Sequence, residues 1–198
     1  MGNLESGSVK LAAPKNPARV LLHCCCAPCA GDIIETLLVS QITPTVFFYN
    51  PNIDPEEEYR QRKNEVTVFA ARKNVPIIDG DYEKDQWLKM VKGLEGEPEG
   101  GRRCERCFYF RLEKTAQYAV AHQFNIITTT LGISRYKNFD LITAIGHAVV
   151  KQYPDLVYWD HNWRKKGGSQ RMYAVARKEG FYMQDYCGCS FSRSRAKT

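Results

Sequence analysis

The chain lacks any apolar run that approaches the roughly 20 residues of a membrane-spanning helix, so nothing in it reads as a transmembrane segment. The stretch Met1 to Pro17 is small and polar and has no apolar h-region. It does not read as a secretory signal, and a disordered arm is expected over residues 1–17. Internal repeats are absent, as is any sign of a second domain. No Gly- and Ser-rich loop follows the first apolar run, so a backbone cradle for phosphates is missing there and ATP is not expected. Cysteine is absent from most of the chain. All 8 cysteines fall into three clusters, His23-Cys24-Cys25-Cys26-Ala27-Pro28-Cys29, Arg103-Cys104-Glu105-Arg106-Cys107 and Tyr186-Cys187-Gly188-Cys189. That distribution excludes the usual use of cysteine as a small hydrophobe scattered through a core.

What is present in bulk is ordinary. A length of 198 residues suits one domain with a normal core. Hydrophobic content of 43% with 25% charged residues fits a soluble globular chain. The formal charge of +6 fits a polyanionic partner such as RNA, because Lys and Arg contacts to phosphates release counterions. The expected compartment is the reducing cytoplasm, where clustered cysteines bind metal or catalyse rather than form structural disulfides.

Arg19 to His23 is a short apolar run that leads directly into the first cysteine cluster. Gly31 to Gln41 has helical spacing, with Ile34, Leu37 and Leu38 on one face. Thr45 to Tyr49 is β-rich and stops at Asn50-Pro51. Pro55-Glu56-Glu57-Glu58 opens a helix that should reach Lys73, with Asp54 as its N-cap. Pro76 to Asp79 reads as a strand and Asp81 to Val91 as a helix. The loop Lys92 to Gly101 then delivers Cys104 and Cys107 to the start of a helix expected from Phe108 to His122. Asn125 to Thr130 reads as a strand, Asp140 to Tyr153 as a helix and Leu156 to Trp159 as a strand. Arg171 to Glu179 reads as the last helix, with Gly180 at its C′ position. This alternation predicts the α/β class, a single domain over 18–192 with a mainly parallel sheet. Ligands of such sheets collect beyond the carboxyl ends of the strands. The first cluster is placed there, and Thr128 to Asn138 is expected to form another wall of the same site.

Cys-Cys-x-x-Cys, Cys-x-x-Cys and Cys-x-Cys collect soft thiolates, the ligands that select zinc, copper(I) or iron–sulfur clusters. A closed zinc site built from Cys26, Cys29, Cys104 and Cys107 would leave Cys25, Cys187 and Cys189 without a task. Adjacent Cys25 and Cys26 suit a cluster better, since separate iron corners each take one thiolate. With Cys104 and Cys107 they make the four ligands of a [4Fe–4S] cluster. Cys29, Cys187 and Cys189 remain for a second metal or a thiol–disulfide pair. Cys24 falls on the other side of the strand and is expected to be a buried neutral thiol. His23 is expected to be satisfied at the strand end rather than to act as a ligand.

Four segments carry a resemblance. They are Leu22-His-x-Cys-Cys-Ala-Pro-Cys29 with one extra thiol at Cys24, Arg103 to Leu112, Thr128 to Asn138, and Tyr182 to Ser192. Their order and residues resemble the QueH family of cobalamin-independent epoxyqueuosine reductases. The resemblance implies a Rossmann-like fold related to the adenine-nucleotide α-hydrolase group. It implies a [4Fe–4S] cluster on Cys25, Cys26, Cys104 and Cys107, without cobalamin. The second site would be Cys29, Cys187 and Cys189, holding a second iron or working as a redox pair. The implied reaction is the last step of queuosine synthesis in tRNA, fed by an electron donor such as a ferredoxin or flavodoxin.

Proton donors are expected among Tyr109, Asp185 and Tyr186. RNA contact is expected from Arg135 and Lys137, from Arg164, Lys165 and Lys166, and from Arg171, with Trp159, His161 and Trp163 stacking on bases. A basic tail over 193–198 adds nonspecific attraction. The competing readings are an ATP-dependent tRNA sulfur-transfer enzyme and a noncatalytic zinc-stabilised RNA-binding module.

Overall fold

Parallel strands need a crossover between each pair, and this chain supplies helices for that purpose. The computed structural model describes residues 10–193. Its elements are β1 (Val20–Cys24), α1 (Ala27–Val39), β2 (Thr45–Phe48), α2 (Glu56–Arg72), β3 (Ile77–Asp79), α3 (Lys84–Val91) and α4 (Arg102–Ala121). Then follow β4 (Ile126–Thr129), a 3₁₀ turn (Thr130–Ile133), α5 (Phe139–Val150), β5 (Val157–Tyr158), α6 (Gly168–Glu179) and α7 (Ser190–Arg193).

The strands form one sheet in the order β3-β2-β1-β4-β5, with every pairing parallel. The chain builds outward from β1 in one direction and then restarts at β4 in the other. The switch point therefore lies between the carboxyl ends of β1 and β4, where sheets of this kind bind ligands. Helices cover both faces, so β1 is buried at all its positions. Its odd and even residues serve different cores. Val20, Leu22 and Cys24 pack with Ile33, Ile34 and Leu37 of α1, Phe69 of α2 and Met172 of α6. Leu21 packs on the opposite face with Leu112 and Ala116 of α4 and Ile142 and Val149 of α5.

The alternation of elements follows the expected order, and the differences lie at helix starts. Helix α1 begins at Ala27, a turn earlier than its apolar spacing suggests, because Pro28 sits in its first turn and extended Cys26 takes the N-cap position. Helix α4 begins at Arg102, so Cys104 and Cys107 lie inside it, three residues apart and hence on one face. Asp54 does not cap α2. Pro55 occupies that position, and Asp54 instead pairs with Lys84. Helix α6 starts at Gly168, ahead of Arg171.

Residues 1–9 of the expected arm and 194–198 of the basic tail lie outside the described residues. Within 10–17, the Leu11 N–H donates to Ser40 Oγ at 2.9 Å and the Asn125 side-chain amide donates to the Pro17 carbonyl at 2.8 Å.

Helix α5 approaches the sheet closely at Gly146, where an added Cβ would lie 2.4 Å from the Tyr158 ring. That ring is buried and has no room to withdraw. Gly146→Ala should therefore destabilise the protein by about 1–3 kcal/mol. The thermal midpoint should fall by roughly 2–4 °C per kcal/mol for a chain of this size. An unchanged melt would show that α5 does not hold this approach in solution.

Candidate functional site

The carboxyl end of β1 runs into α1 with no loop between them. Cys25 and Cys26 make the junction, and Cys29 follows in the first turn of α1. The sulfurs of Cys25, Cys26 and Cys29 lie within 4.8 Å of one another. Thr130, at the end of β4, fixes Cys25 twice. Its hydroxyl accepts the Cys25 N–H at 3.0 Å and donates to Cys25 Sγ, 3.2 Å away. Cys26 Sγ lies 3.8 Å from Cys25 Sγ. Hydrogen bonds from Cys26 and Cys29 hold the Cys25 thiol well below the ordinary thiol range, against the effect of burial, with Lys137 and Arg111 assisting. The same sharing, together with burial, pushes Cys26 and Cys29 upward. Cys24 faces the other side of the sheet, fully buried, and burial raises its thiol well above the ordinary range.

These thiols open onto a cavity of about 590 Å³ whose wall also includes Arg62, Arg111, Lys137, Asp185 and Cys187. Such a volume suits a small-molecule or nucleoside ligand. Arg111 is 2% exposed and donates to Asn50 Oδ1, while its Nε has no partner. Among the described residues no carboxylate forms an ion pair with it, although a buried cation normally needs one. Burial opposes the charge on Lys137, yet the facing thiols, Cys187 and then Cys25, raise its ammonium above its ordinary range. The cavity is thus lined by thiols that favour soft metals and by cations that favour an anionic metal–thiolate centre. The residues fit such a group.

Of the remaining thiols, Cys187 lines the same cavity, and Cys104, Cys107 and Cys189 lie near it. Cys104 accepts the Gly100 N–H at 3.2 Å. Cys107 packs with Trp87, Val91 and Cys189, and the Trp87 indole N–H there has no hydrogen-bond partner. Burial pushes Cys104 and Cys107 upward and takes Cys189 up to about 12. Cys187 is close enough to raise the thiols of all three. Arg62, itself buried, holds this segment: its guanidinium donates to the carbonyls of Cys187 at 3.2 Å and Tyr186 at 3.3 Å, and to Glu58 at 2.6 Å. Gly188 is required between the two cysteines. Its φ is +103°, and a Cβ there would lie 3.0 Å from the Ile53 side chain and 3.1 Å from the Arg62 guanidinium. Arg103 closes the far end. It donates to the carbonyls of Glu95 at 2.9 Å and Glu97 at 2.5 Å, and its guanidinium stacks on Phe191.

The residues expected to meet RNA divide. Arg135 and Lys137 line the cavity, and Lys165 and Lys166 are exposed on the turn before α6. Arg164 is turned inward and donates to the carbonyls of Gly132, Ser134 and Lys137 at 2.5–2.7 Å. Arg171 pairs with Asp32 at 2.9 Å. The expected stacking by tryptophan is overturned, since Trp159 and Trp163 are 8% and 4% exposed and pack into the core. Their apolar area is worth more there than at the surface. Asp185 and Tyr186 line the cavity, and the Tyr186 hydroxyl donates to the Asp54 carbonyl at 2.7 Å. Tyr109 lies elsewhere, on α4, with its hydroxyl accepting from the Gln152 side chain at 3.2 Å.

Sequence reasoning did not single out Arg62 or Arg111, or the Thr130 hydroxyl within the expected wall. A signal existed for the two arginines. Arg62 interrupts the apolar stripe Tyr59, Val66, Phe69 of α2, and Arg111 the stripe Cys107, Phe108, Leu112 of α4, so each charge sits on a core-facing position.

The family model described as "Epoxyqueuosine reductase QueH" matches residues 20–195. The protein of that name from Acinetobacter baylyi is 50% identical over 184 residues, covering 93% of this chain and 84% of its own. Its namesake from Haemophilus influenzae is 49% identical over 183 residues, covering 92% of this chain and 75% of its own. The namesake from Thermotoga maritima is 37% identical over 176 residues, covering 87% of this chain and 89% of its own. With a parallel sheet whose switch point carries the thiols, and with this likeness along nearly the whole length, the chain belongs to the epoxyqueuosine reductase QueH family.

Proposed function

We propose that this chain reduces epoxyqueuosine to queuosine at the wobble position of tRNA, the last step of queuosine synthesis, with the modified nucleoside seated in the cavity beyond β1. One observation carries the reading. The sulfurs of Cys25, Cys26 and Cys29, within 4.8 Å of one another, share a cavity wall with the unpaired Arg111 and with Lys137. Thiol chemistry and positive charge meet there, as an oxidised group carried on a polyanion requires.

Turning an epoxide into an alkene consumes two electrons and two protons and releases the oxygen as water. Cys25, Cys26, Cys104 and Cys107 would hold a [4Fe–4S] cluster, which supplies one-electron transfers when bound. Thr130 orients Cys25 for that role, and Trp87 packs with Cys107. Cys29, Cys187 and Cys189 form the second set, where they would either hold a second iron or work as a thiol pair. As a pair, Cys187 and Cys189 give up two electrons and two protons and close to a disulfide, which balances the reduction. Asp185, which lines the wall with Cys187, would pass a proton to the departing oxygen. An electron-donor protein such as a ferredoxin or flavodoxin resets the site, and the reading gives no part to cobalamin or ATP. The reducing cytoplasm keeps these thiols reduced. Among the described residues no helix is long and apolar enough to cross a membrane.

Protein purified without oxygen should contain about four sulfides and at least as many irons per chain, and should convert epoxyqueuosine-tRNA with dithionite as reductant. Stoichiometric zinc with neither sulfide nor conversion would leave a structural metal protein. Cys25→Ser should lose most of the iron and the visible absorbance. Cys187→Ser and Cys189→Ser should keep that absorbance while turnover falls by at least ~100-fold, on the scale of losing a group essential to the chemistry. Active Cys187 and Cys189 variants would remove both roles offered for the second set. Replacing Lys165 and Lys166 together with Glu should weaken tRNA binding and flatten its salt dependence by roughly one unit of slope per lysine. Unchanged binding would return this turn to a solvated surface loop.

A further inference from the structure

The mouth of the cavity presents an aromatic ring that the fold does not use. Tyr136 is 71% exposed, in the loop between the 3₁₀ turn and α5. The ring is nevertheless held in place. The Arg135 guanidinium lies over it, 4.8 Å from its centroid, and donates to its hydroxyl at 2.6 Å. The loop beneath is clamped by Arg164, which donates to the carbonyls on both sides of the pair, Ser134 and Lys137. A ring covered by a cation on one side and fixed on a tethered loop is presented to solvent rather than left loose. Tyr173 and Met183, 37% and 48% exposed, line the same mouth. Single exposed apolar residues need no explanation, but three large ones on the rim of one cationic cavity do.

We propose that Tyr136 is a stacking platform for a nucleobase flanking the one that enters the cavity, with Tyr173 and Met183 completing the apolar rim. This rests on the RNA substrate proposed above. A nucleoside drawn into a cavity leaves its neighbours in the loop without a stacking partner, and a ring at the entrance replaces what they lose. Stacking on a side chain accepts any base, so the platform serves binding rather than base reading. Arg135 and Lys137, on either side of the ring, face the phosphates that such a base brings with it.

The test is binding of an anticodon stem-loop RNA carrying epoxyqueuosine, compared with the same RNA made abasic at the nucleotide on one side or the other of the modified one. Tyr136 is exposed, so Tyr136→Ala should melt like the wild type. Its Kd should rise about 10-fold, and Tyr136→Phe should stay close to wild type, since the ring and not the hydroxyl stacks. One of the two abasic RNAs should bind the wild type about 10-fold more weakly and bind Tyr136→Ala no more weakly than the intact RNA does. An unchanged Kd for Tyr136→Ala, or losses that simply add for both abasic RNAs, would overturn the platform. Turnover of the intact RNA by the wild type reads the proposed function separately. A stacking response without turnover would sink the reductase reading alone, and turnover without that response would sink the platform alone.

Discussion

Three strand ends meet at one buried imidazole. His23, second from the end of β1, has Nε2 3.2 Å from the carbonyl of Tyr49 beyond β2 and Nδ1 2.8 Å from the Thr129 hydroxyl of β4. A carbonyl only accepts, so Nε2 carries the hydrogen and Nδ1 accepts from Thr129. The Thr129 hydroxyl in turn accepts the Leu131 N–H at 3.1 Å, which starts the 3₁₀ turn. Burial, with the nearby charge of Arg111, lowers the His23 pKa to about 3, so the ring stays neutral and the tautomer is fixed. This crosslink sets where β1 stops relative to its two neighbours. The next residues in the chain are Cys24, Cys25 and Cys26, and the next residue after Thr129 is Thr130, which orients Cys25. The site's geometry follows from the sheet's central register.

Charge is the second constraint. Of the cations around the cavity, Arg62 has Glu58 as a partner, whereas buried Arg111 has only the neutral Asn50 oxygen. Isolated buried charge is costly in any fold, and it persists where something of opposite sign compensates. The Cys25 thiol, lowered below its ordinary range, favours that sign. Arg111 helps to lower Cys25 and offsets part of the upward effect of burial on Cys107, on a different element, and Lys137 answers to Cys187 and Cys25 together. The cations therefore link the two groups of cysteines electrostatically before any metal is considered.

Much of this was legible in the sequence, because strands and helices of an α/β sheet announce themselves by period and by turn residues. The thiol clusters were equally plain. What escaped were properties that depend on which way a helix faces. Arg164 and Arg171 read as surface cations because a basic run near glycines looks solvated, yet one clamps a loop and the other pairs with Asp32. Trp159 and Trp163 sit among charges in sequence and inside the core in space, where they pack with residues of α1 and α6. Arg62 and Arg111 were hidden in highly charged helices, where only their register with apolar neighbours set them apart. Helix α1 starts a turn early and α4 nearly two turns early because no Ser, Thr, Asp or Asn stands at either N-cap, Cys26 and Gly101.

The number of thiols that converge weighs between the metal readings. A structural zinc closes its tetrahedron with four ligands and gains nothing from more. Here Cys25, Cys26 and Cys29 stand on one side of a cavity, and Cys187 faces it from a segment whose neighbours include Cys104, Cys107 and Cys189. Four thiols line one open space, Cys25, Cys26, Cys29 and Cys187, and Cys104, Cys107 and Cys189 lie near Cys187, more than a single zinc takes. The way they are held differs as well. Cys107 and Cys189 are packed and buried, while Cys25, Cys26, Cys29 and Cys187 line the cavity wall. Enclosure shields a resident group from solvent, and exposure on the wall puts a thiol in reach of a substrate. A purely structural metal needs the first condition only. The arrangement meets both, and the left-handed Gly188 between Cys187 and Cys189 turns the two thiols to different surroundings, one on the wall and one packed.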